Sequence, residues 1–189
     1  APSHTRRSED SVRLQQFSTT LPLAAIVAQT AGIRADDLVL EPSAGTGMLA
    51  IFAQAAGARL ALNELAETRR ALLRELFPEA TVWAHDAAAI DDRLDRSITP
   101  SVIVMNPPFS AANHVEGRFR QATSQHVLSA LERLAPGGRL VVITGESFRP
   151  STKSFQSTFQ RIASSADVVF SAAIDGKVFA RHGTSIDTR

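Results

Sequence analysis

From about residue 20 onward, short apolar runs alternate with longer stretches in which apolar residues recur every three or four positions. Runs of the first kind fit strands buried on both faces, and stretches of the second kind fit helices with one apolar stripe. Their alternation predicts an α/β domain with a mostly parallel sheet flanked by helices. Strands are expected at Leu38–Leu40, Arg59–Asn63, Thr81–Ala84, Val102–Met105, Arg139–Thr144 and Asp167–Ile174. A seventh, Thr184–Arg189, reads as a strand cut short by the end of the chain. Between them, Met48, Leu49, Phe52 and Ala56 share one helical face, as do Leu65, Leu72 and Leu76. The same spacing recurs in Val127, Leu131 and Leu134, and again in Phe155, Phe159, Ile162 and Ala166. Each set reads as a core stripe. Pro136-Gly137-Gly138 ends one helix, since proline cannot continue it and glycine accepts positive φ.

Composition narrows this picture. With 189 residues and 44% hydrophobic content, the chain can bury one sizeable core. Residues 1–12 are polar and aperiodic and read as a linker or disordered N-terminus, leaving 13–189 as the domain. No apolar run is long enough to span a bilayer and no cleavable leader is visible, so a cytoplasmic location without membrane partners is expected. There is no cysteine, and His4, His85, His114, His126 and His182 show no paired ligand spacing, so no metal is expected. A net charge of +1 does not mark out a nucleic-acid binder.

The first strand runs directly into Glu41-Pro42-Ser43-Ala44-Gly45-Thr46-Gly47, a glycine turn that opens a helix. In an open parallel sheet, ligands sit beyond the carboxyl ends of the strands, and glycines let the backbone approach them. The spacing Gly45-x-Gly47-x-x-Ala50 also satisfies the dinucleotide fingerprint. Glu41 argues against a pyrophosphate there, because its carboxylate suits a cationic amino-acid group better. Glu64, at the end of the second strand, is placed to accept from both hydroxyls of a ribose. Asp86, at the end of the third, is either an acceptor for an adenine amine or a helix N-cap.

Past the fourth strand lies Asn106-Pro107-Pro108-Phe109. Consecutive prolines fix the backbone, so the Asn106 side-chain oxygen and the Pro107 carbonyl can converge on one point. Two acceptors there suit an NH2 group whose nitrogen lone pair is delocalised. Accepting both hydrogens favours pyramidal nitrogen and aims its lone pair at the methyl of a sulfonium donor, so catalysis is mainly positioning and electrostatics. Phe109 offers a flat apolar face on which a planar substrate stacks.

Together these residues resemble the class I methyltransferases of the amino-methylating type, with the NPPF run as their motif IV and EPSAGTG as their motif I. Gln15-Gln16-Phe17-Ser18-Thr19-Thr20-Leu21-Pro22-Leu23-Ala24 resembles the segment preceding motif I in gamma-type adenine-N6 DNA methylases. Phe179 to Arg189 is similar to the closing segment of methylase domains in strawberry-notch-type methylase-helicase polypeptides. The resemblance implies a Rossmann-like class I methyltransferase fold with a seven-stranded sheet and S-adenosyl-L-methionine as cofactor. It implies cofactor contacts from Phe17, Thr19, Thr20, Glu41, Ser43, Gly45, Thr46, Gly47, Glu64, Asp86 and Asn106. Asn106, Pro107 and Phe109 take the catalytic role, and Pro108, Phe109 and Phe179 the substrate. Thr20 also fits a plain helix cap followed by Pro22 in the first turn.

The expected substrate is adenine N6 in DNA, single-stranded or with the base flipped, because a paired base cannot reach such a pocket. Loop 110–120, with Asn113, Gly117, Arg118 and Arg120, and the rim residues Lys153, Lys177, Arg181 and His182 fit phosphate contacts or a merely solvated surface. The chain is expected to be part of a larger protein with a helicase region, and to carry no separate target-recognition region. Methylation of RNA guanine or of a protein glutamine amide by the same chemistry remains open. So does a non-catalytic module of a helicase-containing polypeptide, with an NAD-dependent dehydrogenase more distant.

Overall fold

A computed structural model describes residues 19–107, 122–178 and 187–189 of the chain. These divide between two compact units, one made of residues 19–106 and 129–142, the other of 107, 122–128, 143–178 and 187–189.

The first unit holds the sheet. Its elements are α1 (Leu21–Ala31), β1 (Leu38–Glu41), α2 (Met48–Ala55), β2 (Arg59–Asn63), α3 (Glu67–Leu76), β3 (Thr81–Trp83), the short α4 (Ile90–Arg93), β4 (Val102–Met105) and β5 (Arg139–Val142). The strands are all parallel, in the order β3-β2-β1-β4-β5. Chain direction reverses its walk across the sheet between β1 and β4, which places a crevice beyond their carboxyl ends. β4 is buried along its whole length, and β1 is buried from Val39 to Glu41. A strand covered on both faces needs apolar residues at consecutive positions, and Val102-Ile103-Val104-Met105 supplies them.

Side chains alternate between two cores. Leu40, Ala61, Ile103 and Met105 meet Ile90 and Leu94 and Ala130 on one face. Ala130 belongs to α5 (Ala122–Arg133). On the other face Leu62 packs with Ala44, Ala50, Leu73 and Phe77. The stripe expected through Leu65, Leu72 and Leu76 is corrected here: all three are exposed, while Leu73 and Phe77 are buried. The helix begins only at Glu67, so Leu65 lies in the preceding loop, and the face toward the sheet runs one position later than expected.

The second unit contains a 3-10 turn at Lys153–Phe155 and α6 (Gln156–Ala163). Phe148 packs edge-on against Phe155 and beside Phe159, with ring centroids 4.9 and 5.0 Å apart, and Phe155 and Ile162 are buried as their spacing predicted. Five of the seven expected strands pair among the described residues, and residues 184–186 of the expected seventh, Thr184–Arg189, lie outside them. Asp167–Ile174 forms no strand; isolated antiparallel bridges join Thr188 to Gly145 and to Ile174. Val168, Val169 and Phe170 are exposed. Their β-branched and aromatic character favours extended backbone, but a strand also needs a neighbour to complete its hydrogen bonds, and this run has none among the described residues.

Candidate active site

The carboxyl ends of β1, β2 and β4 bring together much of what the sequence marked. β1 ends in Glu41, which is 3% exposed. Burial drives its carboxyl well above the usual glutamate range; a hydrogen bond donated by the Ala50 amide opposes this and the nearby charge of Glu64 adds to it. Its Oε2 is buried and accepts no hydrogen bond from any described residue. A buried acceptor left unmatched costs stability unless a ligand supplies the donor.

The turn after β1 is tied down from two sides. Ala44 donates its amide to the Asn63 carbonyl at 2.9 Å, and Gly47 to the Ala44 carbonyl at 2.8 Å. Gly45 and Gly47 have φ of +57° and +79°, a region that disfavours side chains. A Cβ on Gly47 would meet Phe77 Cε2 at 2.5 Å, so glycine lets α3 pack against the turn. Ser43 and Thr46 lie in this turn and are half-buried.

Glu64 is buried behind the turn, with Oε2 accepting from the Gly45 amide and Oε1 from the Ala66 amide, both at 2.8 Å. The carboxylate is therefore built into the turn. Each oxygen retains a further lone pair, so these bonds leave acceptor capacity for hydroxyl donors. Sequence reasoning passed over the neighbouring Asn63. Its Nδ2 donates to the carbonyls of Pro42 and His85 at 2.8 and 2.9 Å, and its Oδ1 accepts from the His85 amide at 2.8 Å. One buried amide thus fixes the glycine turn to the chain leaving β3. The visible signal was a polar side chain closing an apolar strand.

Asp86 caps a 3-10 turn, its Oδ1 accepting from the Ala88 amide at 3.0 Å. Thr20 caps α1, accepting from the Leu23 amide at 3.4 Å, with Pro22 in the first turn.

Asn106 follows β4. Its Nδ2 donates to Thr19 Oγ1 at 3.0 Å, which fixes the amide plane. Its Oδ1 is buried and receives no donor among the described residues. Thr19 is itself buried, so the segment before α1 anchors the residue after β4. Pro107 is buried as well. Phe17, Pro108, Phe109 and Phe179 lie outside the described residues, as do Asn113, Gly117, Arg118, Arg120, Arg181 and His182. Lys153 and Lys177 are exposed. Among the described residues, no group of three or more His, Asp or Glu could hold a metal ion, and no helix is long and apolar enough to cross a membrane.

A five-stranded parallel sheet with a glycine turn after its first strand, an acid after its second and a half-buried asparagine after its fourth defines a Rossmann-like methyltransferase fold. The sequence pattern of the methyltransferase small domain family matches residues 20–168, and the chain belongs to that family. No curated protein sequence matches it. Among solved structures it is similar to TrmN from Thermus thermophilus, with 20% identity and a TM-score of 0.63 over 92% of this chain and 49% of that one. The methyltransferase subunit of a type I restriction-modification system from Streptococcus thermophilus gives 15% identity and a TM-score of 0.63, covering 78% and 38%. A SAM-dependent O-methyltransferase from Thermotoga maritima gives 15% and 0.55, covering 82% and 54%. The chain thus spans about half or less of each of these three proteins.

Proposed function

We propose that the chain is the catalytic domain of an S-adenosyl-L-methionine-dependent N-methyltransferase acting on N6 of adenine in DNA. The observation that carries this reading is the buried, unmatched Oδ1 of Asn106, whose amide plane is set by Thr19. An acceptor held rigid and short of one donor is what an incoming NH2 group requires, and preorganised polar groups of this kind supply much of an enzyme's rate enhancement.

The residues present fit the cofactor. The orphaned Oε2 of Glu41 suits the ammonium of its amino-acid end, Glu64 the ribose hydroxyls, and the turn 43–47 a close backbone approach. When bound, the cofactor supplies an electrophilic methyl group on a sulfonium. Asn106 Oδ1 and the Pro107 carbonyl would accept hydrogen bonds from the two amine hydrogens and so leave the nitrogen lone pair free to form the N–CH3 bond as the S–CH3 bond breaks, with the surplus proton passing to solvent. The roles expected of Pro108, Phe109 and Phe179 toward the base, and of Phe17, Thr19 and Thr20 toward the cofactor, belong to this reading. The exposed charge of Lys153 and Lys177 suits phosphate.

DNA is favoured over RNA or a protein amide by the sequence of the segment before α1 and of the closing segment, both of which resemble those of DNA methylases. A helicase region in the same full-length polypeptide would deliver single-stranded substrate.

The test incubates the chain with labelled S-adenosyl-L-methionine and, separately, adenine-containing single-stranded DNA, RNA of the same sequence and a glutamine peptide. N6-methyladenine found by mass in the DNA alone is expected. Transfer to RNA or peptide instead would replace the substrate, and cofactor binding without any transfer would favour a non-catalytic module.

A further inference from the structure

Arg69 lies in the first turn of α3 and has no role in the site as described so far. Its Nη1 stands 3.3 Å from where a Cβ on Gly45 would be, so the guanidinium lies on the face of the turn that glycine keeps open. The same Gly45 donates its amide to Glu64 Oε2, so Arg69 and Glu64 both approach one residue. Burial pulls the guanidinium below its ordinary value, and attraction to Glu64 pulls it back up. Among the described residues, Arg69 nevertheless makes no hydrogen bond or close ion pair, whereas its neighbour Arg70 is spent on the carbonyls of Glu64 and Leu65 and on Glu67. A partly desolvated guanidinium beside Gly45, with no protein acceptor among the described residues, has donors to offer a ligand.

We infer that Arg69 is a further cofactor-binding residue that, together with Glu64, grips the ribose of the cofactor. A vicinal diol offers two protons and several lone pairs. Glu64 can take only the protons, being an acceptor, and Arg69 can serve only the lone pairs, being a donor. The two side chains are therefore complementary for this group. The inference rests on the reading of the site as an S-adenosyl-L-methionine pocket.

Titration calorimetry with S-adenosylhomocysteine and with 5′-methylthioadenosine, which lacks the amino-acid end, separates the choices. Arg69→Gln should weaken both ligands by the same factor, about tenfold for one lost charged hydrogen bond. Arg69→Lys should lose less. In a Glu64→Gln background, Arg69→Gln should cost clearly less than it does alone, because the diol is no longer held from its other side. Melting temperatures of the variants in the absence of ligand check that the fold is intact.

Loss of S-adenosylhomocysteine affinity alone would assign Arg69 to the amino-acid carboxylate and overturn the proposal. Equal losses that simply add to those of Glu64→Gln would overturn it in favour of contact with the base, and no loss would remove Arg69 from the site. If the wild-type chain bound neither ligand, the cofactor reading itself would fall and this inference with it. Wild-type binding with an unaffected variant would overturn only the role of Arg69.

Discussion

The two ends of the central sheet handle buried charge in opposite ways. At the amino end, Asp37 sits just before β1 and is 6% exposed. Its Oδ1 accepts from Ser101 Oγ at 2.7 Å; its Oδ2 accepts from the Arg34 amide at 2.8 Å and from Arg139 Nη2 at 2.6 Å. Burial pushes this carboxyl up, but Ser101, Arg34 and Arg139 together outweigh it and leave it below the usual aspartate range. At the carboxyl end, Glu41 is as deeply buried, with one oxygen unmatched and Glu64 as a like-charged neighbour. The first carboxylate is finished by the fold and the second is not, which suits the ligand role proposed for it. Strain kept at one end and closure at the other is how a fold stays stable while holding an unsatisfied site.

The largest expected effect tests the unmatched end. Asn106→Ala removes the acceptor meant for the substrate amine, and methyl transfer should fall by about 10²–10³-fold or more, the range for losing one preorganised polar group. Cofactor affinity, measured by calorimetry, should fall much less. A transfer rate near wild type would remove Asn106 from the chemistry.

Glu41→Gln comes next and should act in two directions. Losing a charged acceptor should weaken S-adenosylhomocysteine by about 10–100-fold. The unliganded chain should become more stable at neutral pH, because a carboxyl whose folded-state pKa is raised contributes fully only below its unfolded value. That contribution is lost as pH rises toward the folded value. The gain in melting temperature over wild type should therefore shrink as pH falls through the ordinary glutamate range. A variant less stable than wild type at pH 7 would contradict the account of Glu41 as a strained acid.

Gly47→Ala asks whether the turn's geometry, rather than its charges, limits the site. The new methyl faces Phe77 and Leu73 at 2.5 and 3.0 Å at a backbone φ of +79°. A loss of about 2 kcal/mol is expected from overpacking and backbone strain, measured by chemical denaturation. An unchanged midpoint would mean that α3 can shift without cost.

The parts that were legible in the sequence are those decided locally. Val102-Ile103-Val104-Met105 could only be a doubly buried strand, and Gly45 and Gly47 announced a turn with positive φ. The Asn106 position followed from its place after that strand. What failed depends on distant partners. Val168-Val169-Phe170 has strand-like residues but no paired neighbour, and the register of α3 was set by where Phe77 meets Gly47, not by its own leucines. Asn63 and Arg69 were invisible for the same reason. An asparagine or arginine shows its partners only once strands β1, β2 and β3 are side by side.

The smallest expected effect closes the comparison at the finished end. Asp37→Asn keeps the shape but removes the charge facing Arg139 and weakens the bonds from Ser101 and Arg34. A loss of about 1 kcal/mol is expected, with cofactor affinity unchanged. Its pH dependence must run opposite to that of Glu41. A carboxyl with a lowered folded-state pKa contributes stability above its unfolded value and loses it as pH falls through the folded one. The gap between wild type and Asp37→Asn should thus be full at pH 7 and close on acidification below the ordinary aspartate range, where the Glu41→Gln gain has also vanished. Denaturation midpoints of both variants across pH 3–7, each against wild type, give two curves of opposite sign. If both variants destabilised at neutral pH, the two ends would be equivalent, and Glu41 would be a structural acid rather than one held for a ligand.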